Sequence, residues 1–206
     1  MVIKRGSKTL EEWRAQQAAD PDYQAIAPHY QAIRDARERE LSEIAEQRRL
    51  EQQPILKELA EAGVIVDWVG GLSAIPSLDS RVYAILLDHI TKPYSPSLLE
   101  WIGRAFGHRL DRTIVWEVLI NLLKDHALDN HAVEGVMAAI SVIARPSDLH
   151  TLIDLLSDPL LGSNRIYLVG NLMRSKKPEA RSALVRYQSD PDLTIEITDR
   201  LSRSRS

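Results

Sequence analysis

The segment Leu152-Ile153-Asp154-Leu155-Leu156-Ser157-Asp158-Pro159 recurs, with drift, along most of this chain. Upstream stand Leu86-Leu87-Asp88-His89-Ile90-Thr91-Lys92-Pro93 and Leu119-Ile120-Asn121-Leu122-Leu123-Lys124-Asp125-His126. Downstream stands Leu184-Val185-Arg186-Tyr187-Gln188-Ser189-Asp190-Pro191. In chain order the leading leucines are 33, 33 and 32 residues apart. Self-similarity at one spacing marks stacked supersecondary units, each too small to bury its apolar face alone.

Within a unit the apolar period is helical. Leu149, Leu152, Ile153, Leu155 and Leu156 fall at i, i+3, i+4, i+6 and i+7 and so share a helix face. Asp158-Pro159 closes that helix, because a residue preceding proline is pushed out of the α region. A second helix is expected from Ser163 to Arg174, with Ile166, Val169, Leu172 and Met173 inward. The unit before it repeats the pattern. Ile114, Val118, Leu119 and Leu122 line its first helix, and Val133, Val136, Met137 and Ile140 its second. The last unit is degraded: Leu184, Leu193, Ile195, Ile197 and Leu201 are interspersed with polar residues, as a terminal cap requires. Val64 to Leu72 reads as the second helix of a half unit, preceded by a helix through Ile55, Leu56 and Leu59. The expected class is all-α, an α-solenoid of about four and a half helical hairpins over residues 55–203. Its units are expected at 55–76, 77–108, 109–144, 145–175 and 176–203.

Residues 1–54 read as a charged helical arm. Thr9-Leu10-Glu11-Glu12 has the spacing of a capping box. Asp20-Pro21 and Ala27-Pro28 each put proline where a helix can begin. From His29 to Gln53 there is neither Gly nor Pro, and Ala, Glu, Gln and Arg abound, which predicts a long exposed helix. Its Arg34–Arg49 charge run reads as a solvated face. Tyr30, Ile33, Leu41 and Ile44 form a broken stripe through which arms would pair in an oligomer.

Composition narrows the function. With 44% hydrophobic and 27% charged residues the chain has the material for a soluble core. A net charge of −3 argues against general nucleic-acid binding, which rests on Lys and Arg neutralising phosphates. The C-terminal stretch from Arg174 onward is locally basic, with eight Lys/Arg against five Asp/Glu, and Arg203-Ser204-Arg205-Ser206 reads as a frayed tail. No cysteine is present, so disulfides, thiolate chemistry and Cys-ligated zinc are excluded. No apolar run approaches the ~18 residues of a membrane span. The N-terminus is basic without the apolar stretch of a signal peptide, so the expected location is the cytoplasm.

The Leu152–Pro159 string, and Leu184 through Asp192, resemble the first helix and turn of a HEAT repeat. The likeness covers residues 55–202, with Asp-Pro in the turn of two units and the family's early second-helix arginine at Arg165. The units are shorter than the roughly 40 residues usual for such repeats. The resemblance implies an armadillo-type solenoid that binds another protein along its concave face. A second likeness, through Ala19-Asp20-Pro21-Asp22-Tyr23, Ile33–Arg37 and Leu41–Ala45, is to the opening of bacterial helix-turn-helix antitoxins. No recognition helix follows it, because the charged helix continues past Glu46. A third is to HEAT-like alkylpurine DNA glycosylases, which use Trp and Asp on the concave face. Here Trp101 is followed by Gly103 and Arg104 rather than a carboxylate, and Trp68 and Trp116 fit core positions.

Equivalent outward positions of successive second helices define the candidate site. One row is Glu100, Glu134, Tyr167 and Asp199; the next is Arg104, Ala138, Asn171 and Arg203. The partner-binding residues are therefore expected to be Glu100, Arg104, Glu134, Tyr167, Asn171 and Asp199, an acidic stripe suited to a basic or amphipathic protein. Asp125, His126, Asp129 and His131 read as helix-end caps rather than a metal site. Gly70-Gly71 lacks phosphate-loop spacing and reads as close packing. His89, on a first helix, is expected on the far side of the layer. The expected function is a non-enzymatic scaffold, adaptor or inhibitor, one form being a bacterial toxin-neutralising protein. No catalytic residue, metal or cofactor is expected. The alternative is a HEAT-like DNA repair glycosylase or other DNA-binding protein.

Overall fold

The computed structural model describes residues 9–203, and the basic segment 1–7 and the tail 204–206 lie outside them. The described residues are all-helical, with no strand, and none of their helices is long and apolar enough to cross a membrane. Two compact units divide between Leu50 and Glu51.

The first unit holds α1 (Leu10–Ala18) and most of the course of α2 (Pro21–Glu61). The capping box forms: Glu12 N–H donates to Thr9 Oγ1 at 3.2 Å, and Thr9 N–H to the Glu12 carboxylate at 2.9 Å. Asp20 opens α2 by accepting from the Asp22 N–H at 2.9 Å. Pro28 begins no new helix. α2 runs through both Pro28 and Pro54, since each removes only one donor and the Ala/Glu/Gln/Arg-rich flanks are strong helix formers. Trp13, Ile26, Tyr30, Ile33 and Leu41 stand exposed.

In the second unit Gly63 ends α2 with φ 90°. Its N–H bonds Ala60 O at 2.9 Å, and the Val64 N–H bonds Leu59 O at 2.8 Å, the paired closure of a Schellman motif. The expected helix from Val64 to Leu72 is therefore absent; an irregular turn leads to a 3-10 segment at Val69–Ala74. Four pairs of α-helices follow. They are α3 (Ser80–His89) with α4 (Pro96–Arg104), α5 (Arg112–Lys124) with α6 (Asn130–Ile143), α7 (Leu149–Leu156) with α8 (Ile166–Arg174), and α9 (Pro178–Arg186) with α10 (Thr194–Arg203).

The second helix of each pair packs on the next: α4 on α6, α6 on α8, α8 on α10. Leu86, Leu119, Leu152 and Leu184, the leading leucines of the repeated segment, are all buried. Three residues expected in the core of the two middle pairs are not. Ile114, Val118 and Ile166 are exposed, because α5 is apolar around much of its girth and only Val115, Trp116, Leu119, Ile120 and Leu123 are buried. The helix expected from Ser163 starts as a 3-10 turn, Pro159–Arg165, so Ile166 opens α8 at its outer edge. In the last pair Ile197 and Leu201 face inward at i, i+4, while Ile195 points out.

Candidate functional site

The second helices are aligned by caps and by close approach. Ser95 opens α4 and is itself held by Glu51, whose carboxylate accepts from the Ser95 N–H and, at 2.7 Å, from its hydroxyl. Asp129 caps α6 through the His131 N–H at 2.9 Å. α4 and α6 touch at glycine: a Cβ on Gly135 would lie 2.2 Å from the Glu100 carbonyl oxygen and 2.9 Å from Gly103 Cα. Only glycine permits that backbone separation, and it sets Glu100 and Arg104 next to α6.

Four of the expected residues then join in one network. Arg104 Nε donates to Glu100 Oε1 at 2.7 Å, and Arg104 Nη2 donates to the Tyr167 hydroxyl at 3.0 Å. That hydroxyl donates in turn to Glu134 Oε1 at 3.0 Å. Burial and the bond to Glu134 push the Tyr167 hydroxyl above its ordinary pKa, so it stays a neutral donor. The chain of bonds crosses α4, α6 and α8, joining residues 63 and 33 apart in sequence.

The other two do not join it. Asn171 donates to Ser141 O at 3.0 Å, and Asp199 pairs with Arg203 at 3.0 Å on α10. The expected acidic stripe is also corrected. Glu100 and Asp199 are each neutralised by an arginine four residues on, and Glu134 accepts the tyrosine hydroxyl, so the face is a compensated polar row around an aromatic.

Trp68 is not a core residue. It is 42% exposed, meets Trp101 edge to face at 4.8 Å, and folds over Gly70, where a Cβ would sit 2.1 Å from its ring. Gly70 thus makes room for an indole, whereas a Cβ on Gly71 would meet Val66 at an ordinary 3.4 Å. Trp116 is buried, with the Arg112 guanidinium 4.2 Å from its ring centre.

His89 is not a surface residue. It is fully buried, with Nδ1 2.7 Å from the Tyr94 hydroxyl and Nε2 3.2 Å from both Glu58 Oε1 and Lys92 Nζ. Glu58, Asp88 and His89 gather their ligand atoms within 4.8 Å, but Lys92 Nζ, 2.6 Å from Asp88, already supplies the cation there. His126 takes a left-handed φ of 51° as the residue closing α5, and its ring lies 3.4 Å from Asp158 of the next turn.

Two buried ionic centres were not foreseen from sequence. The Asp111 carboxylate accepts from Ser77 Oγ, the Leu78 N–H and the Tyr83 hydroxyl at 2.6, 2.8 and 2.8 Å. Arg165 is 2% exposed and binds Asp190 and Asp192. Spacing offered no signal for either, because their partners lie 25 to 34 residues away.

Compared with family models, curated proteins and solved structures, the chain matches none.

Proposed function

We propose that this chain is a non-enzymatic protein-binding scaffold, adaptor or inhibitor, built as a HEAT-like α-solenoid. The successive packing of α4, α6, α8 and α10 supports the solenoid reading, since repeat arrays contact only their neighbours. The observation that carries the function is the Glu100–Arg104–Tyr167–Glu134 network across three second helices. Its geometry suits recognition. A half-buried tyrosine surrounded by charges is the arrangement from which binding hot spots are made. Each charge is already oriented by a neighbour, so little side-chain freedom remains to be lost on binding. A basic or amphipathic protein fits this face, pairing with Glu134 and covering Tyr167.

Crosslinking in the native cell, followed by purification of the tagged chain, identifies the partner. Glu134→Lys with Tyr167→Ala weakens that partner's binding by about tenfold or more. Glu117→Lys on the exposed side of α5 leaves it unchanged. Unaltered binding by the double variant with intact helical content refutes this face. The rival reading, a HEAT-like DNA repair glycosylase or DNA-binding protein, predicts instead salt-sensitive retention on DNA with several phosphate contacts.

A further inference from the structure

The ends of α6 and α8 border a cleft of about 750 Å³ that no part of the row above uses, apart from Asn171 at its edge. Its exposed apolar surface comes from Val142, which is 43% exposed, and Pro146, over the buried Leu149 and Leu152. Its rim carries Arg109, Arg145, Arg174, Lys176 and Lys177, and no carboxylate lines it. Arg109 donates to Val142 O at 3.2 Å. Among the described residues, Arg145, Arg174, Lys176 and Lys177 have no ion-pair partner.

Two helix C-termini face this cleft, and cations gather there for their own sake. The magnitudes decide the matter. Each C-terminus carries about half a negative charge, so two of them offset about one cation. Five stand on the rim, leaving a surplus of about four positive charges beside an apolar floor. Like charges held together without counter-charges repel one another, an arrangement that an anionic occupant relieves.

We propose that this cleft binds an acidic, amphipathic peptide segment of a partner protein, with carboxylates on the five-cation rim and an aliphatic or aromatic side chain on the exposed Val142 and Pro146. The size falls within the roughly 300–1,000 Å³ of ligand-holding clefts. A nucleic-acid strand fits less well, since single strands are held by aromatic stacking and no aromatic residue lines the cleft. A small anion fits less well too, because Arg109, Arg145, Arg174, Lys176 and Lys177 are all exposed on the rim rather than converging inside. The inference stands apart from the row through Tyr167, which calls for a basic partner.

The test pans a displayed library of random peptides against the full chain. Enriched sequences carry several Asp or Glu around an apolar residue. Peptides synthesised from that pool lose about tenfold or more in affinity with Arg174→Glu/Lys177→Glu, and separately with Val142→Asp, while Tyr167→Ala leaves them bound. Val142, Arg174 and Lys177 are all exposed, so the variants stay folded, with melting temperatures lowered by a few degrees at most for a carboxylate at a helix C-terminus. A pool without acidic enrichment, peptides that bind the charge-reversed chain as well as the wild type, or a single-stranded oligonucleotide that binds the cleft more tightly overturns the proposal. Loss of peptide binding in Tyr167→Ala alone assigns the peptide to the row and likewise overturns it.

Discussion

Arg165 grips Asp190 with both terminal nitrogens, Nη1 to Oδ2 and Nη2 to Oδ1, each at 3.0 Å. The same guanidinium donates to Asp192 at 3.1 Å, to Gly162 O at 2.8 Å and to Leu156 O at 3.2 Å, so all five of its N–H donors are used. One residue thereby ties the turn after α7 to the Asp-Pro-Asp turn between α9 and α10. Arg165→Met should cost about 3 kcal/mol, because a carboxylate is left without its counter-charge. Asp190 remains 18% exposed, which holds the loss below the larger values seen for sealed pairs.

That pair also predicts a pH dependence. Burial raises the Asp190 carboxyl pKa, but the bond from Arg165 and the N–H groups of Asp192 and Leu193 outweigh it, and the result lies below the ordinary value of 3.8. A depressed folded pKa gives stability that is complete above the unfolded value and lost as pH falls through the folded one. Urea unfolding of the wild type and Arg165→Met should therefore differ by a constant amount from neutral pH down to about pH 5. Below about pH 4 the gap should close. A gap that widens in acid would contradict this assignment.

The α4–α6 crossing gives a second prediction. Alanine gains about 1 kcal/mol over glycine in a helix interior. At Gly135 the added carbon meets backbone atoms at 2.2 and 2.9 Å, which cannot step aside, so Gly135→Ala should destabilise by about 3 kcal/mol. At Gly170 the nearest atoms are guanidinium nitrogens of Arg200 and Arg174 at 3.3 and 3.5 Å, the ends of flexible side chains. Gly170→Ala should be neutral or stabilising by up to about 1 kcal/mol. Thermal melts of the two variants, moving in opposite directions, check the claim.

These cases separate what the sequence could tell from what it could not. The period was legible because one leucine per unit must be buried, and it correctly brought Tyr167 opposite Glu134, 33 residues away. Orientation of α5 was not legible. A helix carrying Ile114, Val115, Trp116, Val118, Leu119, Ile120, Leu122 and Leu123 has apolar residues nearly all round, and periodicity alone does not select its inner face. The break after Gly63 was masked by the apolar run Val64-Ile65-Val66, which looks continuous unless glycine's left-handed φ is given priority. Charge compensation along the row is legible only when Glu100 and Arg104 are read as i, i+4 neighbours, which meet on one helix, rather than as members of two separate rows.

Asp111 offers a third test, at a centre formed by tertiary contact. Burial opposes its ionisation, but Ser77, the Leu78 N–H and Tyr83 bond the anion and hold its carboxyl below the ordinary range. Burial and Asp111 together raise the Tyr83 hydroxyl far above its own. Tyr83→Phe removes one bond to a charged acceptor and should cost about 1–3 kcal/mol. Asp111→Ala strands three donors and should cost more, about 3 kcal/mol or above. A double variant whose loss equals the sum of the two would show that the groups act independently, contrary to the shared geometry.

The position of Glu51 fixes where the arm can be cut. None of the described residues of α1 is buried, and in α2 only Ile55 and Leu59 are. Glu51 accepts both the N–H and the hydroxyl of Ser95, and so secures the start of α4. Deleting residues 1–46 removes no buried side chain among the described residues and should leave the second unit cooperatively folded, with its melting temperature changed by a few degrees at most. Extending the deletion through Leu59 removes two fully buried side chains, each worth about 2–5 kcal/mol, together with the Ser95 anchor. That protein should melt early or fail to fold. The single change Glu51→Ala in the full chain isolates the anchor from the core: it should cost about 1–2 kcal/mol, since Ser95 keeps its own bond to the Leu98 N–H. Early melting of the shorter deletion would show that the arm stabilises the helices after it, and the boundary at Leu50 would then have no thermodynamic meaning.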